Sequence, residues 1–524
     1  MKVAFRTDAS GRIGTGHLVR CLTLADALHA QGARVRFACR DLAPELKALV
    51  LARGHELVEL PAAHARAAGA ARRQDEHRPG DGHAPKAPLE GSAHEHWLGA
   101  TEDEDVAATL AALSGDGPWD WLVVDHYALG AGWEVRMRAC ATRILVIDDL
   151  ADRPHDCDAL LDQNLYADMH SRYDGLVPGG CIRLLGPRHA LLRREFATAR
   201  ESLRVRGDEV RRVLVSCGGV DAANLTARAL DALDAVAADV DVDVVIGAMH
   251  PDRDAIVALC ARRARTTCHV QASDMARLIA DADVGIGAAG VATWERCALG
   301  LPSLAVAVAA NQRALLRDAA CAGLVLGPDV DPADGQALAL HLRALLGNAA
   351  LRAHLSRQGL EAVDARGAAR VARQMLRPEV TIRPATAADA DDLLAWRNAP
   401  EVRRFARDDR PIDPDEHRRW MAATLAAPDR LLLIGQAGGE PVGVVRYDVV
   451  GDSAEVSIYL APGQSGRGVG SALLIAAERW LSVRRPDIAT VVAEVLAGNV
   501  ASQRLFAGCG FERMACRYRK RIRP

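Results

Sequence analysis

Apolar positions in the first 60 residues alternate between short continuous runs and helical spacing. A short apolar run at 3–5 is followed by a glycine-rich turn at 11–16 and then by 18–31, where apolar residues recur three and four positions apart. Gly32 ends that stretch, and another apolar run follows at 35–38. This pattern predicts strand, loop, helix and strand, which is a βαβ unit and therefore requires a parallel sheet.

The same pattern continues over the next three hundred residues. Apolar runs at 121–125 and 143–149 end in carboxylates, which is typical of the ligand-binding edge of a parallel sheet. A second series of buried-strand runs begins at 212–216. Its later runs lie at 242–246, 282–286 and 303–308. We therefore expect two consecutive Rossmann-like α/β domains, 1–190 and 191–376, with a cleft between them.

The pattern changes near residue 378. Beyond it, three runs separated by turns resemble antiparallel strands, and a glycine loop leads into a helix at 471–484. The three runs are 431–436, 442–449 and 454–460. The sequence thus predicts a separate α+β domain over 380–524.

One stretch, 62–100, has Gly, Pro, His and charged residues but no apolar periodicity. It predicts a long, mobile surface insertion. Its five histidines are irregularly spaced and do not favour a metal site. They are His64, His77, His83, His94 and His96.

Composition narrows the class of protein. Half of the 524 residues are hydrophobic and 25% are charged, as in soluble globular domains. Lys and Arg total 65 against 68 Asp and Glu, so no overall field favours nucleic acid or an anionic membrane, and any anion must be held by local geometry. The 12 cysteines lack zinc spacing, and no run is long enough to span a bilayer. Together with the lack of a signal-peptide core, this predicts a cytoplasmic protein with no metal and no membrane partner.

The first glycine loop carries a candidate base. Gly14 and Gly16 place flexible backbone before a helix whose free N–H groups and dipole attract anions. His17 follows at once and can take a proton near neutral pH, although a histidine that caps its own helix has the same pattern. Nearby strand ends carry three carboxylates, of which we expect at most one to assist His17 or hold substrate hydroxyls, and capping of local turns is the alternative. They are Asp125, Asp148 and Asp149.

A second glycine loop is a candidate nucleotide site. Gly218 and Gly219 follow a strand and let a diphosphate approach the next helix N-terminus without a metal, where developing charge would be stabilised. A tight turn that binds nothing is the alternative. Glu295 lies one turn into the helix after a third glycine loop, at 285–290, where it suits ribose hydroxyls or is simply solvated.

Several of these segments together resemble one family. The opening MKVAFRTDASGRIGTGHLVR, and later segments at 124–127, 160–164 and 215–221, resemble the UDP-sugar hydrolases of pseudaminic-acid biosynthesis, the PseG family. The resemblance implies a GT-B-like pair of Rossmann domains that hydrolyses a UDP-sugar with inversion and without metal. It implies that His17 activates water. It implies substrate-holding roles for Asn311, Gln312 and Glu295. The full predicted substrate-binding set is Gly14, Gly16, Asp125, Tyr127, Gly218, Gly219, Glu295, Asn311 and Gln312.

The last domain resembles another family. The glycine-rich loop 461–470 opens a helix, and 499–511 follows downstream, a combination that resembles the Gcn5-related N-acetyltransferase (GNAT) fold and implies acetyl-CoA as co-substrate. The residues expected to bind it are Gln464, Gly466, Arg467, Gly468, Gly470, Asn499, Ser502 and Phe506. Phe506 stands where the family often has an acid tyrosine, so Tyr459 and Glu455, on one strand face, are the candidate catalytic groups.

Together the two resemblances predict a bifunctional sugar-nucleotide enzyme. One domain acetylates the 4-amine of a UDP-amino sugar, and the other pair hydrolyses UDP-2,4-diacetamido-2,4,6-trideoxy-beta-L-altropyranose to UDP and free sugar. Two alternatives stay open: an inverting GT-B glycosyltransferase fused to an acetyltransferase, and a hydrolase with an acetyl-CoA-sensing regulatory domain. The expected partners are the UDP-sugar and other enzymes of the same route.

Overall fold

The computed structural model describes residues 1–10, 13–61, 94–236, 239–406, 410–466 and 468–514. The chain divides into two compact units, residues 1–372 and 373–524. Arg467 and positions 62–93 of the predicted insertion lie outside the described residues. None of the described helices combines the length and the apolar character that crossing a bilayer requires.

The first unit begins with a seven-stranded sheet. Its strands are β1 (Lys2–Thr7), β2 (Arg34–Cys39), β3 (Glu56–Glu59), β4 (Trp119–Asp125), β5 (Ala141–Ile147), β6 (Ala159–Asp162) and β7 (Ile182–Leu185). They lie in the order β3-β2-β1-β4-β5-β6-β7, with neighbours parallel. The order reverses between β1 and β4, and the crevice at such a reversal is where open α/β sheets bind ligands.

Helices cover both faces of this sheet, which explains why its central strands are continuous apolar runs. They are α1 (Gly16–His29), α2 (Pro44–Ala52), α3 (Glu102–Leu113) and α4 (Ala131–Met137). The next helix, α5 (Arg194–Glu201), places Phe196 in a different core, with residues beyond 276. On one face, Leu122 and Val124 of β4 pack with the fully buried Trp133 of α4.

The end of the predicted insertion is ordered. Residues 94–100 include a 3₁₀ turn, Glu95–Trp97, and Leu98 is 4% exposed within the core beside α4. The structure therefore differs from the prediction of a mobile segment over 62–100 for its last seven residues. Burial of an apolar side chain holds this part in place.

A second parallel sheet follows in the same unit. Its strands are β8 (Arg212–Ser216), β9 (Asp241–Ile246), β10 (Thr266–Val270), β11 (Val284–Ala288) and β12 (Ser303–Val306). Their order is β10-β9-β8-β11-β12, so this sheet reverses between β8 and β11. The helices are α6 (Leu225–Ala235), α7 (Arg253–Arg262), α8 (Met275–Asp281), α9 (Ala292–Ala298), α10 (Ala310–Cys321), α11 (Gly335–Gly347), α12 (Ala349–Ala362) and α13 (Gly367–Met375).

The two sheets share buried surface. Tyr166, Leu192 and Phe196, which follow the first sheet, pack into the core around α8, α9 and α10 of the second. This shared core is a physical reason why residues 1–372 form one unit.

The second unit is an antiparallel sheet with helices on both faces. Its strands are β13 (Thr381–Pro384), β14 (Arg430–Ala437), β15 (Glu440–Val450), β16 (Ser453–Leu460) and β17 (Thr490–Val492), in that spatial order, with β17 parallel to β16. The helices are α14 (Ala390–Asn398), α15 (Pro400–Arg403), α16 (Pro414–Ala426), α17 (Val469–Arg484) and α18 (Val500–Gly508).

Alternation along the strands of this sheet separates two cores. Leu433 of β14 packs on the side of α17, whereas its neighbours Leu432 and Ile434 pack on the side of α14 and α16. The predicted fold class, two Rossmann-like α/β sheets followed by an α+β domain, is confirmed.

The close approach of the β9 end to the Gly218–Gly219 loop gives a prediction. A Cβ at Gly247 would collide with the carbonyl group of Gly219. Gly247→Ala should therefore displace that loop and lower the free energy of unfolding of the first unit by about 1–3 kcal/mol, the usual cost of overpacking. Urea unfolding measures it.

Gly335→Ala is the matched control, because a Cβ at Gly335 meets nothing within 4 Å. Equal stability of the two variants would contradict the steric argument.

Candidate active sites

The base predicted from the first glycine loop lies in a charged cluster. His17 is in the first turn of α1, and its Nδ1 lies 2.6 Å from Oδ1 of Asp125, the last residue of β4. Arg20, one turn further along α1, donates to both oxygens of Asp125, at 2.6 Å from Nε and 2.7 Å from Nη2. Asp125 is 0% exposed and His17 is 8% exposed. His17 is thus held by polar partners at the edge of the sheet reversal, not sealed in apolar packing.

These contacts decide which nitrogen of the His17 ring carries its proton. Although burial opposes ionisation, Arg20 and His17 together hold the pKa of Asp125 well below its usual range, so the carboxylate is an acceptor. Since Asp125 can only accept, Nδ1 of His17 carries the proton that joins them. Nε2 of the neutral ring is then the nitrogen able to take up a proton. Both oxygens of Asp125 accept hydrogen bonds from Arg20 or His17, and its contact with substrate stays a prediction.

Tyr127 and Asp149 extend the cluster. The Tyr127 hydroxyl donates to Oδ1 of Asp149 at 2.6 Å, and its ring meets His17 edge-on with centroids 4.7 Å apart. Burial and Asp149 raise the pKa of Tyr127, so the phenol stays protonated. The rings of His94 and Trp97 pack on Tyr127 at 5.4 and 5.7 Å. The end of the predicted insertion therefore forms an aromatic wall beside the base.

A hydrogen-bond chain connects this cluster with the second sheet. The amide nitrogen of Asn164 donates to Asp149 at 3.2 Å, and its carbonyl oxygen accepts the indole N–H of Trp294 at 3.0 Å. Trp294 is fully buried on α9, directly before Glu295. These two hydrogen bonds, one buried and one part-buried, thus connect the helix of Glu295 with the His17 cluster.

The two glycine loops face each other. A Cβ placed on Gly219 would lie 3.7 Å from Oγ1 of Thr15, the residue before Gly16. Gly14 has a φ of +82°, which suits glycine, and its N–H donates to the carbonyl of Ser10 at 2.7 Å. The structure brings together the loops that the sequence nominated separately.

The helix after the second loop is already capped. The side chain of Asp221 accepts from the N–H groups of Leu225 and Thr226, each at 2.9 Å, and Asn224 accepts from Ala227 at 3.3 Å. The structure thus corrects the expectation that the N-terminus of α6 stabilises a diphosphate, because its first donors are used internally. The Gly218–Gly219 backbone remains the candidate contact.

The remaining predicted substrate residues lie around the third glycine loop. Glu295 is near the Arg193 guanidinium, at 3.5 Å, and burial raises its pKa. Gln312 lies in the first turn of α10, where its Oε1 accepts the N–H of Val308 at 3.0 Å, and Asn311 beside it is exposed.

Sequence reasoning missed Arg20, Asn164 and Trp294 as members of the site. Arg20 could have been found, since residues three apart share a helix face with His17. Asn164 and Trp294 are 130 positions apart, and no local pattern connects them.

In the second unit, the two candidate catalytic residues share a strand face. Glu455 and Tyr459 of β16 lie on the side opposite to Ala454 and Val456, which pack against α17. Glu455 is exposed, whereas Tyr459 is largely enclosed beside Trp396 and Trp420, and burial raises its pKa.

The glycine-rich segment of this unit lies directly before the helix α17. Gly466 and Gly468 have φ values of +81° and +76°, and Gly468 is the residue before α17. Asn499 uses its side-chain oxygen to cap α18, accepting from the N–H of Ser502 at 3.0 Å. The Phe506 ring packs in the core against Phe511, with centroids 5.0 Å apart. The contacts of Asn499 and Phe506 with acetyl-CoA stay predictions.

Two further residues of this loop have contacts within the protein. The N–H of Gln464 donates to Ala461 at 3.2 Å and closes the turn, and a Cβ on Gly470 would lie 3.7 Å from Leu460 and Leu505. In the described part of the chain, no group of three or more His, Cys, Asp or Glu side chains is arranged to hold a metal ion.

Comparisons with known proteins give separate matches for the N-terminal half and for the C-terminal region of the chain. Residues 379–512 match the family model of the acetyltransferase (GNAT) domain, so the C-terminal region carries such a domain. The N-terminal half resembles the UDP-2,4-diacetamido-2,4,6-trideoxy-beta-L-altropyranose hydrolase of Campylobacter jejuni, with 29% identity over 228 residues, 43% of this chain and 63% of the relative. It is similarly related to the spore coat polysaccharide biosynthesis protein SpsG of Bacillus subtilis, with 28% identity over 217 residues, 41% of this chain and 63% of the relative.

The chain thus spans about 63% of the length of these two curated relatives. A solved structure, MurG of Acinetobacter baumannii, aligns with 71% of this chain and 99% of its own, at 15% identity and a TM-score of 0.46. The predicted resemblances, to the PseG-type hydrolases and to the GNAT family, are confirmed.

A pH prediction comes from a carboxyl group behind Asp149. Burial, and then the charge of Asp149, raise the pKa of Asp162 to about 7. Because this exceeds the unfolded value, its contribution to stability is complete below about pH 4 and is lost as the pH rises to about 7. Asp162→Asn should therefore gain stability relative to the wild type across that interval, as measured by urea unfolding at several pH values.

Asp254→Asn, at a carboxylate whose side chain is 91% exposed, is the control and should leave the pH profile unchanged. A wild-type profile identical to that of Asp162→Asn would disprove the assignment.

Proposed function

We propose that this chain is a bifunctional sugar-nucleotide enzyme. Its first unit hydrolyses UDP-2,4-diacetamido-2,4,6-trideoxy-beta-L-altropyranose to UDP and the free sugar, and its second unit transfers an acetyl group from acetyl-CoA to the 4-amine of the preceding UDP-amino sugar. The observation that carries the first activity is the Arg20–Asp125–His17 cluster opposite the Gly218–Gly219 loop, in a region that resembles a UDP-sugar hydrolase. The GNAT domain carries the second.

Hydrolysis begins at His17. With its Nδ1 proton bound to Asp125, Nε2 takes a proton from a water molecule as the water oxygen bonds to the anomeric carbon. The bond from that carbon to the diphosphate oxygen breaks, and its electron pair leaves with UDP. Attack opposite the leaving group inverts the carbon. Asp125 is a positioning residue here, because it stabilises the imidazolium and fixes the ring.

The other residues hold the substrate. Gly218 and Gly219 offer bare backbone to the diphosphate, and Glu295 is the candidate acceptor for ribose hydroxyls. Asn311 and Gln312, at the start of α10, and Tyr127, beside His17, enclose the sugar. No step requires a metal ion, since a nucleotide diphosphate is already a good leaving group.

The second unit has the features that acetyl-CoA needs. The Gly466–Gly468 turn before α17 can present N–H groups to a pyrophosphate. β17 pairs with β16 only as far as Glu455, so the remaining edge of β16, beside Tyr459, suits an extended amide chain. When bound, acetyl-CoA supplies the thioester that the sugar amine attacks.

Tyr459 is the candidate proton donor of the second reaction. Its raised pKa keeps the phenol protonated, which suits a group that returns a proton to the departing thiolate rather than one that deprotonates an amine. Glu455, exposed on the same strand face, is the candidate acceptor of the amine proton. Acetylation comes first in this scheme, and covalent linkage raises the local concentration of its product near the hydrolase.

A glycosyltransferase would use the same fold with a sugar acceptor in place of water. Acceptor-independent UDP release at a catalytic rate discriminates between the two. A second unit that only senses acetyl-CoA would bind acetyl-CoA without releasing CoA from it.

The hydrolase prediction concerns His17. Purified protein should release UDP from the diacetamido sugar nucleotide, and His17→Ala should lower kcat by about 10²–10⁴-fold, because proton transfer from water is lost. Coupled detection of UDP measures it. Asp125→Asn should also lower kcat, since its amide would turn an N–H₂ group toward Arg20 or His17.

Both variants should keep wild-type acetyl transfer, which controls for folding of the second unit. Retained hydrolysis in His17→Ala would refute this mechanism.

The acetyltransferase prediction concerns Tyr459. Tyr459→Phe should lower kcat for acetyl transfer by on the order of 10²-fold with little change in KM for acetyl-CoA, because only the departing thiolate loses its proton source. Release of CoA thiol, followed with a thiol reagent, measures it.

Tyr447→Phe is the matched control, since Tyr447 is buried on the neighbouring strand β15 and packs on the α17 side of the sheet. Equal loss of kcat in both variants would point to a structural effect and remove Tyr459 from the mechanism.

A further inference from the structure

One arginine of the second sheet is buried without an acidic partner. Arg296 of α9 is 2% exposed, and its Nη2 donates to the carbonyl of Ala288 at 3.0 Å and to the hydroxyl of Thr293 at 3.2 Å. Its Nε and Nη1 have no hydrogen-bond partner among the described residues, and no described carboxylate forms an ion pair with it. Buried charges are normally paired, because desolvation costs several kcal/mol.

The guanidinium lies beneath the Gly218–Gly219 loop. A Cβ on Gly287 of β11 would collide with the carbonyl oxygen of Ser216 and would lie 2.8 Å from Nη1 of Arg296. The charge of Arg296 also acts on Cys217, the residue directly before the loop. Arg296, Ser216 and Glu295 lie around the same packing gap, which is too small for a water molecule. The unpaired cation is therefore at the carboxyl end of β8, where the sheet order reverses.

The loop itself, residues 216–224, contains no lysine or arginine, and the nearby Arg228 of α6 donates to the carbonyl of Ala223 at 3.4 Å. The first N–H groups of α6 are bonded to Asp221 and Asn224, so the helix end contributes little to an anion. A diphosphate carries at least two negative charges, and its bond to the sugar breaks more easily when a fixed positive charge stabilises the leaving group.

We propose that Arg296 is the buried counter-charge for the nucleotide diphosphate. It acts from below the Gly218–Gly219 loop as a positioning and specificity residue, favouring nucleoside diphosphates over less charged nucleotides and stabilising UDP as it leaves. The inference rests on the proposed hydrolase function, which it deepens. The apo protein bears an uncompensated charge, and binding of the diphosphate compensates it.

A second arginine offers a matched comparison. Arg206 is also largely buried, and burial lowers its pKa to about 10, but its guanidinium donates to the carbonyls of Ile279, Ala282, Leu299 and Gly300. These groups precede β11 and β12, at the opposite edge of the sheet. Arg206 therefore holds backbone together, whereas Arg296 has free donors beside the loop.

The test measures binding of UDP, UMP and uridine to the full chain by calorimetry. Arg296→Met should lower the affinity for UDP by about 10–100-fold, as expected for a lost charge near two phosphates, lower it less for UMP, and leave uridine unchanged. Arg296→Lys, which keeps the charge, should retain most of the preference for UDP. Unfolding of apo Arg296→Met should be no easier than that of the wild type, because a neutral side chain removes the desolvation cost.

Arg206→Met should behave in the opposite way, with lower apo stability and an unchanged order of UDP, UMP and uridine. Equal losses for UDP and uridine in Arg296→Met, or unchanged UDP affinity, would overturn the inference while leaving the hydrolase proposal intact. Failure of both Arg296→Met and Arg296→Gln to fold would also overturn it, since it requires a stable neutral variant. Absence of UDP binding to the wild type would instead refute the proposed function itself.

Discussion

The ion pair between Arg20 and Asp125 is the interaction on which the first active site depends. A carboxylate with 0% exposure is stable only when both oxygens have strong partners, and α1 supplies them through two residues one turn apart. The pair joins the first helix to β4 across the reversal of strand order. It therefore fixes the helix position, the proton on Nδ1 of His17 and the availability of Nε2 together.

Buried charged side chains have different kinds of partners in the two sheets of the first unit. Around His17, anions and cations are paired within the protein. Around Arg296, no described carboxylate forms an ion pair, and two guanidinium nitrogens have no hydrogen-bond partner among the described residues. The chain from Asp149 through Asn164 to Trp294 connects these regions, so that the base and the nucleotide loop keep one geometry.

In the second unit, local sequence patterns predicted the position of the glycine loop better than the contacts of individual residues. The glycines at 466 and 468 adopt the left-handed conformation that this turn before a helix requires. Glycine adopts that conformation more readily than other residues, so the turn can be predicted from the sequence. The contacts of Asn499 and Phe506 within the protein could not be predicted in this way. An Asn side chain before a helix can cap the helix or contact a ligand, and the sequence does not show which side chains a phenylalanine ring packs against.

The sequence by itself determined the parallel sheets, the antiparallel domain and the loops that carry His17 and Gly219, because apolar periodicity and glycine placement act over a few neighbouring residues. Only the tertiary structure decided that Asp125 is bonded to both His17 and Arg20, and that Arg296 lies buried beside Ser216 with unpaired donors. Those outcomes depend on contacts between residues about 80 to 110 positions apart, whose energies come from burial and charge pairing that no local pattern records.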